Sequence, residues 1–149
     1  MPERLPGAVL FACTMNAVRS VMAAGLMRHL LGHKVFVDSA GLRSSEPVDP
    51  FVVSVMEEIG IDVSDHRPKT FEELEDSFFD LIVSLSPEAQ HSAVEMTRTM
   101  ACDVEFWPTL DASIIEGSRD QRLQAYREVR DHLMRRIKRR FALDLKPQV

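Results

Sequence analysis

Cysteine is scarce in this 149-residue chain: two residues, Cys13 and Cys102, stand 89 positions apart. That excludes a disulfide-stapled scaffold and makes a reducing, cytoplasmic setting the expectation. There is one Trp and one Tyr beside eight Phe. No apolar run approaches the roughly 20 residues of a membrane span, and Met1-Pro-Glu-Arg-Leu-Pro-Gly lacks a basic stretch leading into a long apolar one, so no signal peptide is read. No G-x-x-x-x-G-K-[ST] or G-x-G-x-x-G occurs, so nucleotide binding through those loops is unsupported. His29 and His33 have metal-ligand spacing but no cysteine or carboxylate cluster beside them, and read as a helix end. Glu57-Glu58 and Glu72-Glu73 read as solvated charge, not as a paired acid and base.

What is present is ordinary for a globular chain: 45% hydrophobic residues and 28% charged. The length suits one domain over 1–149, and a core of this size needs no staple. Eight methionines, mostly at helical apolar positions, read as core filler. The net charge of −5 is unevenly spread: Ser118 to Phe141 holds nine basic and three acidic residues, Glu57 to Asp80 nine acidic and two basic. The basic segment reads as a solvated, salt-bridged helix with its cationic end set against its dipole, so no nucleic acid or membrane partner is expected.

Short apolar runs alternate with helical periodicity. Strands are expected at Ala8–Ala12, Val35–Val37, Asp80–Val83 and Asp103–Phe106, with Ser39-Ala-Gly41 as a turn. Helices are expected over Val18–Leu31, from Asp49 with Pro50 at its first position to Gly60, and over Ser118–Phe141. The pattern predicts a small doubly wound α/β domain, a central parallel sheet of about four strands with helices on both faces. Ligands of such sheets sit beyond the carboxyl ends of the strands, which directs attention to the loop after the first strand.

That loop is Cys13-Thr14-Met15-Asn16-Ala17-Val18-Arg19-Ser20. Successive backbone N–H groups between a strand end and a helix start can ring a tetrahedral oxyanion, and the helix terminus adds partial positive charge. Arg19, early in the helix, can clamp two oxygens of the anion. A sulfur at the mouth of the ring faces the same field, which favours the nucleophilic thiolate, and Ser20 can donate a hydroxyl to it.

These residues resemble the low-molecular-weight protein tyrosine phosphatase family, which also contains thioredoxin-coupled arsenate reductases. The resemblance spans nearly the whole chain. The loop matches C-x-G-N-x-C-R-S at Cys13, Asn16, Arg19 and Ser20. Asp38-Ser-Ala-Gly41, Gly60-Ile-Asp-Val-Ser-Asp-His-Arg67 and Trp107-Pro-Thr-Leu-Asp111 match further family segments in the same order, and Glu116-Gly-Ser with Tyr126–Asp131 resembles the final helix of arsenate-reductase-like members. The resemblance implies a nucleophile in Cys13, an oxyanion clamp in Arg19, and a general acid in Asp111. It implies loop-bracing side chains in Asn16, Ser20, Ser39 and His66, a cysteinyl-phosphate intermediate, and no metal or cofactor.

Four departures stand out. Met15 replaces a glycine, Val18 replaces a second cysteine, Ala112-Ser113 replaces proline and an aromatic pair, and Ser44-Ser-Glu-Pro47 lacks a tryptophan. If position 15 needs a positive φ, Met15 is strained there. An arsenate reductase needs a further thiol to collapse the arsenic adduct; Val18 fills one candidate position, Ser84–His91 holds no cysteine, and Cys102 should lie at the wrong end of the sheet. The leading expectation is therefore a phosphomonoesterase acting on phosphate esters of the protein phosphotyrosine type. The alternatives are arsenate reduction by an outside thiol such as glutathione, and a non-catalytic domain that binds an oxyanion or a phosphorylated protein.

Overall fold

The computed structural model describes residues 5–44, 47–74 and 78–141. Met1–Arg4 and Ser45-Glu46, on which parts of the reading above fell, lie outside the described residues. The elements run β1 (Ala8–Cys13), α1 (Arg19–Leu31), β2 (Phe36–Gly41), α2 (Pro50–Glu57), β3 (Leu81–Ser84), α3 (Pro87–Met96), β4 (Asp103–Phe106) and α4 (Arg119–Arg140), with single 3₁₀ turns at Phe71–Glu73 and Ala112–Ile114. All four strands are parallel, in the order β2-β1-β3-β4. The chain leaves β1 toward one edge and later returns past it to the other. The carboxyl ends of β1 and β3 therefore flank the switch point where such sheets hold ligands.

Strand β1 is buried from Val9 to Cys13 because helices cover both its faces. Val9, Phe11 and Cys13 enter one core with α1, α2 and α4; Leu10 and Ala12 enter the other with Ile82 and with Ala89 and Ala93 of α3. Helix α4 supplies the first core with Leu123, Tyr126, Val129, Leu133 and Ile137 at helical spacing. Each such side chain contributes about 1.5–3 kcal/mol when fully buried. Caps fix where the helices begin. Asp49 accepts from Phe51 N–H ahead of Pro50, Ser86 accepts from Ala89 N–H ahead of Pro87, and Ser118 forms a reciprocal capping box with Gln121.

The structure corrects three expectations. Ser39-Ala-Gly41 is not a turn: it is the end of β2, paired in register with Phe11, Ala12 and Cys13. Its small side chains suit a strand buried against a loop. The second helix ends at Glu57, and Glu58 to Gly60 form a turn with Gly60 at φ +82°. Helix α3 was not anticipated, although Ser86-Pro87-Glu88 carries a start signal.

The basic helix spends much of its charge internally. Arg130 is buried and donates to the Val55 carbonyl and to Glu58, which Arg127 also holds bidentately. These guanidiniums keep the Glu58 carboxyl below the usual carboxylate range. Arg140 pairs with Glu105, and Arg136 lies over the Trp107 ring. Among the described residues no helix is long and apolar enough to cross a membrane.

Candidate active site

The loop after β1 is pinned from below by the end of β2. Leu42 and Arg43 donate their N–H groups to the Thr14 carbonyl at 2.8 and 3.0 Å, and Asp49 N–H reaches the Ala17 carbonyl. Gly41 passes so close beneath the loop that an added Cβ would lie 2.6 Å from Asn16 N and 2.8 Å from the Met15 carbonyl carbon. This close approach is why the strand must end in glycine.

Asn16, fully buried, organises the loop. It adopts φ +56°, the left-handed conformation that asparagine tolerates better than most residues. The positive-φ position is therefore Asn16 and not Met15, so the Met15 replacement carries no strain of that kind. The amide uses all four of its hydrogen-bonding sites. Nδ2 donates to Ser20 Oγ at 2.7 Å and to Ser39 Oγ at 3.0 Å; Oδ1 accepts from Lys69 N–H at 2.9 Å and from His66 Nε2 at 3.1 Å. Lys69 N–H is an obligate donor, which fixes the amide orientation and makes His66 Nε2 the protonated ring nitrogen. Ser20 accepts from Asn16, so its own proton is left for Cys13 Sγ, 3.0 Å away. Asn16 N–H lies 3.3 Å from the same sulfur. Cys13 Sγ thus sits as an acceptor of two hydrogen bonds, the arrangement that stabilises negative charge on it.

His66 is half-buried, not a loose surface residue. Burial lowers its pKa, and the neighbouring Lys69 lowers it further.

Arg19 projects over the same loop. Its Nη1 donates to the Thr109 carbonyl at 3.1 Å, and its Nη2 lies 3.9 Å from Asp111 Oδ2. The Asp111 side chain is one-third exposed, and its Oδ1 caps the 3₁₀ turn by accepting from Ser113 N–H and Oγ. Asp111 is therefore a turn cap and a pocket carboxylate at once, one oxygen for each. Cys13, Met15, Ala17, Val18, Arg19 and Asp111 line a cavity of about 320 Å³, closed by Pro47, Val48, Asp49, Pro50 and Ser113. Thr14 turns aside to Ser86 and Glu88, while Ser20, Asn16, Ser39 and His66 stand behind the wall.

Sequence reasoning missed three contributors. The Thr109 carbonyl has no side-chain signal. Asp49 was legible only as a helix cap, yet it lines the pocket and accepts the Tyr126 hydroxyl at 2.6 Å. Tyr126 read as one member of an apolar stripe; burial and the Asp49 carboxylate drive its pKa far upward, so it stays a neutral donor. Cys102 lies just before β4, whose Asp103 is level with Leu81 and Val9. That places it about 16 Å from Cys13 along the strands alone, whereas a disulfide needs Cα atoms within about 7 Å. Burial also raises its thiol pKa. Among the described residues no three His, Cys, Asp or Glu side chains are grouped to hold a metal ion.

Residues 8–146 match the low molecular weight phosphotyrosine protein phosphatase family, and the chain belongs to it. Within that family it is 34% identical over 131 residues to an arsenate reductase of Halalkalibacterium halodurans, covering 87% of this chain and 91% of the relative. Among solved structures it resembles a low molecular weight protein tyrosine phosphatase of T. tengcongensis, with 28% identity, TM-score 0.73, and coverage of 88% and 95% of the two chains. It also resembles an arsenate reductase in a phosphate-binding state, with 29% identity, TM-score 0.67, and coverage of 91% and 96%.

Two outcomes follow from this geometry. Gly41→Ala should destabilise the protein by about 1–3 kcal/mol, because the methyl meets backbone and not a yielding side chain. Amide NMR shifts of Met15 and Asn16 should move with it; a urea unfolding curve superimposable on wild type would dispose of the argument. The second outcome concerns His66, whose folded pKa is depressed, so the unfolded chain takes up its proton first. Its contribution is present above about pH 6.5, the ordinary histidine value, and is lost as pH falls through the folded pKa, at up to about 1.4 kcal/mol per pH unit. Urea unfolding at pH 7, 6 and 5 should therefore show a shallower loss for His66→Gln, which keeps a donor to Asn16, than for wild type. Equal slopes would contradict the burial argument.

Proposed function

We propose that the chain is a cysteine-dependent phosphatase that hydrolyses phosphomonoesters. The observation that carries the reading is the convergence of Cys13 Sγ, the Arg19 guanidinium and the Asp111 carboxylate on one small cavity at the switch point of the sheet. The pocket takes the tetrahedral oxyanion between the loop amides and Arg19, as the phosphate-bound state of the reductase relative supports.

In the first step the Cys13 thiolate attacks phosphorus, the bond from phosphorus to the ester oxygen breaks, and Asp111 gives its proton to the departing oxygen. Arg19 then has more negative charge to stabilise than in the resting site, where Asp111 and the Thr109 carbonyl hold it in place. In the second step the Asp111 carboxylate takes a proton from water, whose oxygen attacks the cysteinyl phosphate. The phosphorus–sulfur bond breaks and the sulfur returns as thiolate onto the Ser20 and Asn16 donors. No side chain lining the pocket is aromatic, so a phosphotyrosine ring would rest against Met15, Pro47 and Val48.

One observation favours a second reading: relatives at 33–34% identity over most of the chain bear the name arsenate reductase. On that reading Cys13 attacks arsenic and water departs. An outside thiol such as glutathione then attacks Cys13 sulfur, arsenic leaves with the bonding pair as arsenite, and a second thiol reduces the mixed disulfide. The cysteine inventory leaves no internal route.

Hydrolysis of p-nitrophenyl phosphate under reducing conditions, beside arsenite release from arsenate and glutathione, separates the two. The expected result is ester hydrolysis that falls by about 10³-fold or more in Cys13→Ser and by about 10²–10³-fold in Arg19→Ala. Asp111→Asn should slow phenyl phosphate about 10²-fold but p-nitrophenyl phosphate much less, since the better leaving group needs no proton. Equal slowing of both esters would remove Asp111 from the acid role. Arsenite release without ester hydrolysis would transfer the site to the reductase reading.

A further inference from the structure

Two cations beside the pocket have no part in the reaction above. Arg122 lies over the Phe51 ring at 4.6 Å and Arg119 over the same ring at 5.8 Å. Among the described residues neither meets a carboxylate. That is unlike Arg127, Arg130 and Arg140 of the same helix, which are each ion-paired. Their platform is tied to the pocket. Phe51 follows Pro50, which lines it, and packs at 5.1 Å on Tyr126, whose hydroxyl holds pocket-lining Asp49. Arg122 and Asp111 both bear electrostatically on that hydroxyl, so a free cation and the pocket carboxylate share one neighbourhood.

A different element, the segment around Asp111, presents the opposite character. Leu110 and Ile114 are 53% and 67% exposed on either side of it. The pocket, at about 320 Å³, has room for one phosphorylated side chain. The two rims lie outside it and on separate elements, so only a ligand extending beyond that side chain reaches both. Stacked guanidiniums are weakly hydrated and suited to carboxylates.

We propose that this mouth selects phosphorylated polypeptide segments with carboxylates on one side of the phosphorylated residue, Arg119 and Arg122 receiving that acidic flank. The proposal deepens the phosphatase reading and rests on its oxyanion pocket.

The test is fluorescence anisotropy of labelled phosphotyrosyl peptides on Cys13→Ser, which holds them without turnover. The peptides carry four glutamates or four lysines on either side of the phosphotyrosine, and p-nitrophenyl phosphate turnover by the wild type is followed in parallel. One acidic peptide should bind about tenfold or more tightly than its lysine counterpart at low salt, the margin shrinking as KCl rises. Adding Arg119→Gln and Arg122→Gln should abolish the preference, and Arg119→Glu with Arg122→Glu should reverse it. Absence of a preference, its survival in the glutamine pair, or equal binding of the unphosphorylated acidic peptide each overturns the proposal. Failure of p-nitrophenyl phosphate hydrolysis alone would sink the phosphatase reading, while the binding order still decides the flank.

Discussion

Everything at the site depends on one amide. Asn16 is buried in a left-handed conformation with four hydrogen-bond partners, drawn from α1, β2 and the segment after α2. A buried polar group short of one partner costs about 1–3 kcal/mol, so a network of this kind is either complete or unstable. Completeness gives each neighbour a direction. Because Asn16 donates to Ser20, Ser20 donates to sulfur; because Lys69 N–H occupies one face of Oδ1, His66 must present a proton to the other. Cys13 Sγ is held by the fold from behind, through Ser20 and Asn16, and its other side lines the pocket.

Arg19 is governed by the opposite principle. Its partners are few and weak: one carbonyl at 3.1 Å and one carboxylate at 3.9 Å, a separation long for an ion pair. A pair this long, with one partner still one-third exposed, contributes little to stability. What they do is hold a long, rotamer-rich side chain over the loop, so less freedom is lost when an anion arrives. The contrast with Arg130, buried and fully engaged by Val55 and Glu58, separates a cation that anchors helix α4 from one kept available.

The fold was legible where local apolar pattern and helical spacing decided it. Ala8–Ala12 and Asp103–Phe106 read directly as strands, the first running one residue further to Cys13, and the periodic stripe from Ser118 to Phe141 placed α4 to within a residue. Ser39-Ala-Gly41 misled because small residues read as a turn when nothing shows what lies above them; the loop over Gly41 is a long-range contact invisible to local pattern. Cys13 and Arg19 stood out from the chemistry of their side chains and Asp111 through the family resemblance, and the structure brings the three to one cavity. The Thr109 carbonyl and the Asp49–Tyr126 pair were not legible, since one acts through backbone and the other two serve a cap and a core at the same time.

Sulfur inventory ties the fold back to chemistry. A parallel sheet sends every strand's carboxyl end to one side, so the residue before β4 is carried to the far side from Cys13 by topology alone. Cys102 is there, its thiol pKa raised by burial and its Sγ hydrogen-bonded to the Asp103 carbonyl that follows it. At position 18 the side chain is an apolar valine that closes the pocket beside Arg19 and starts α1. A covalent adduct on Cys13 therefore meets no second sulfur from its own chain. Any adduct on it must be released by a molecule from solution: a water on the phosphatase reading, an outside thiol on the reductase one.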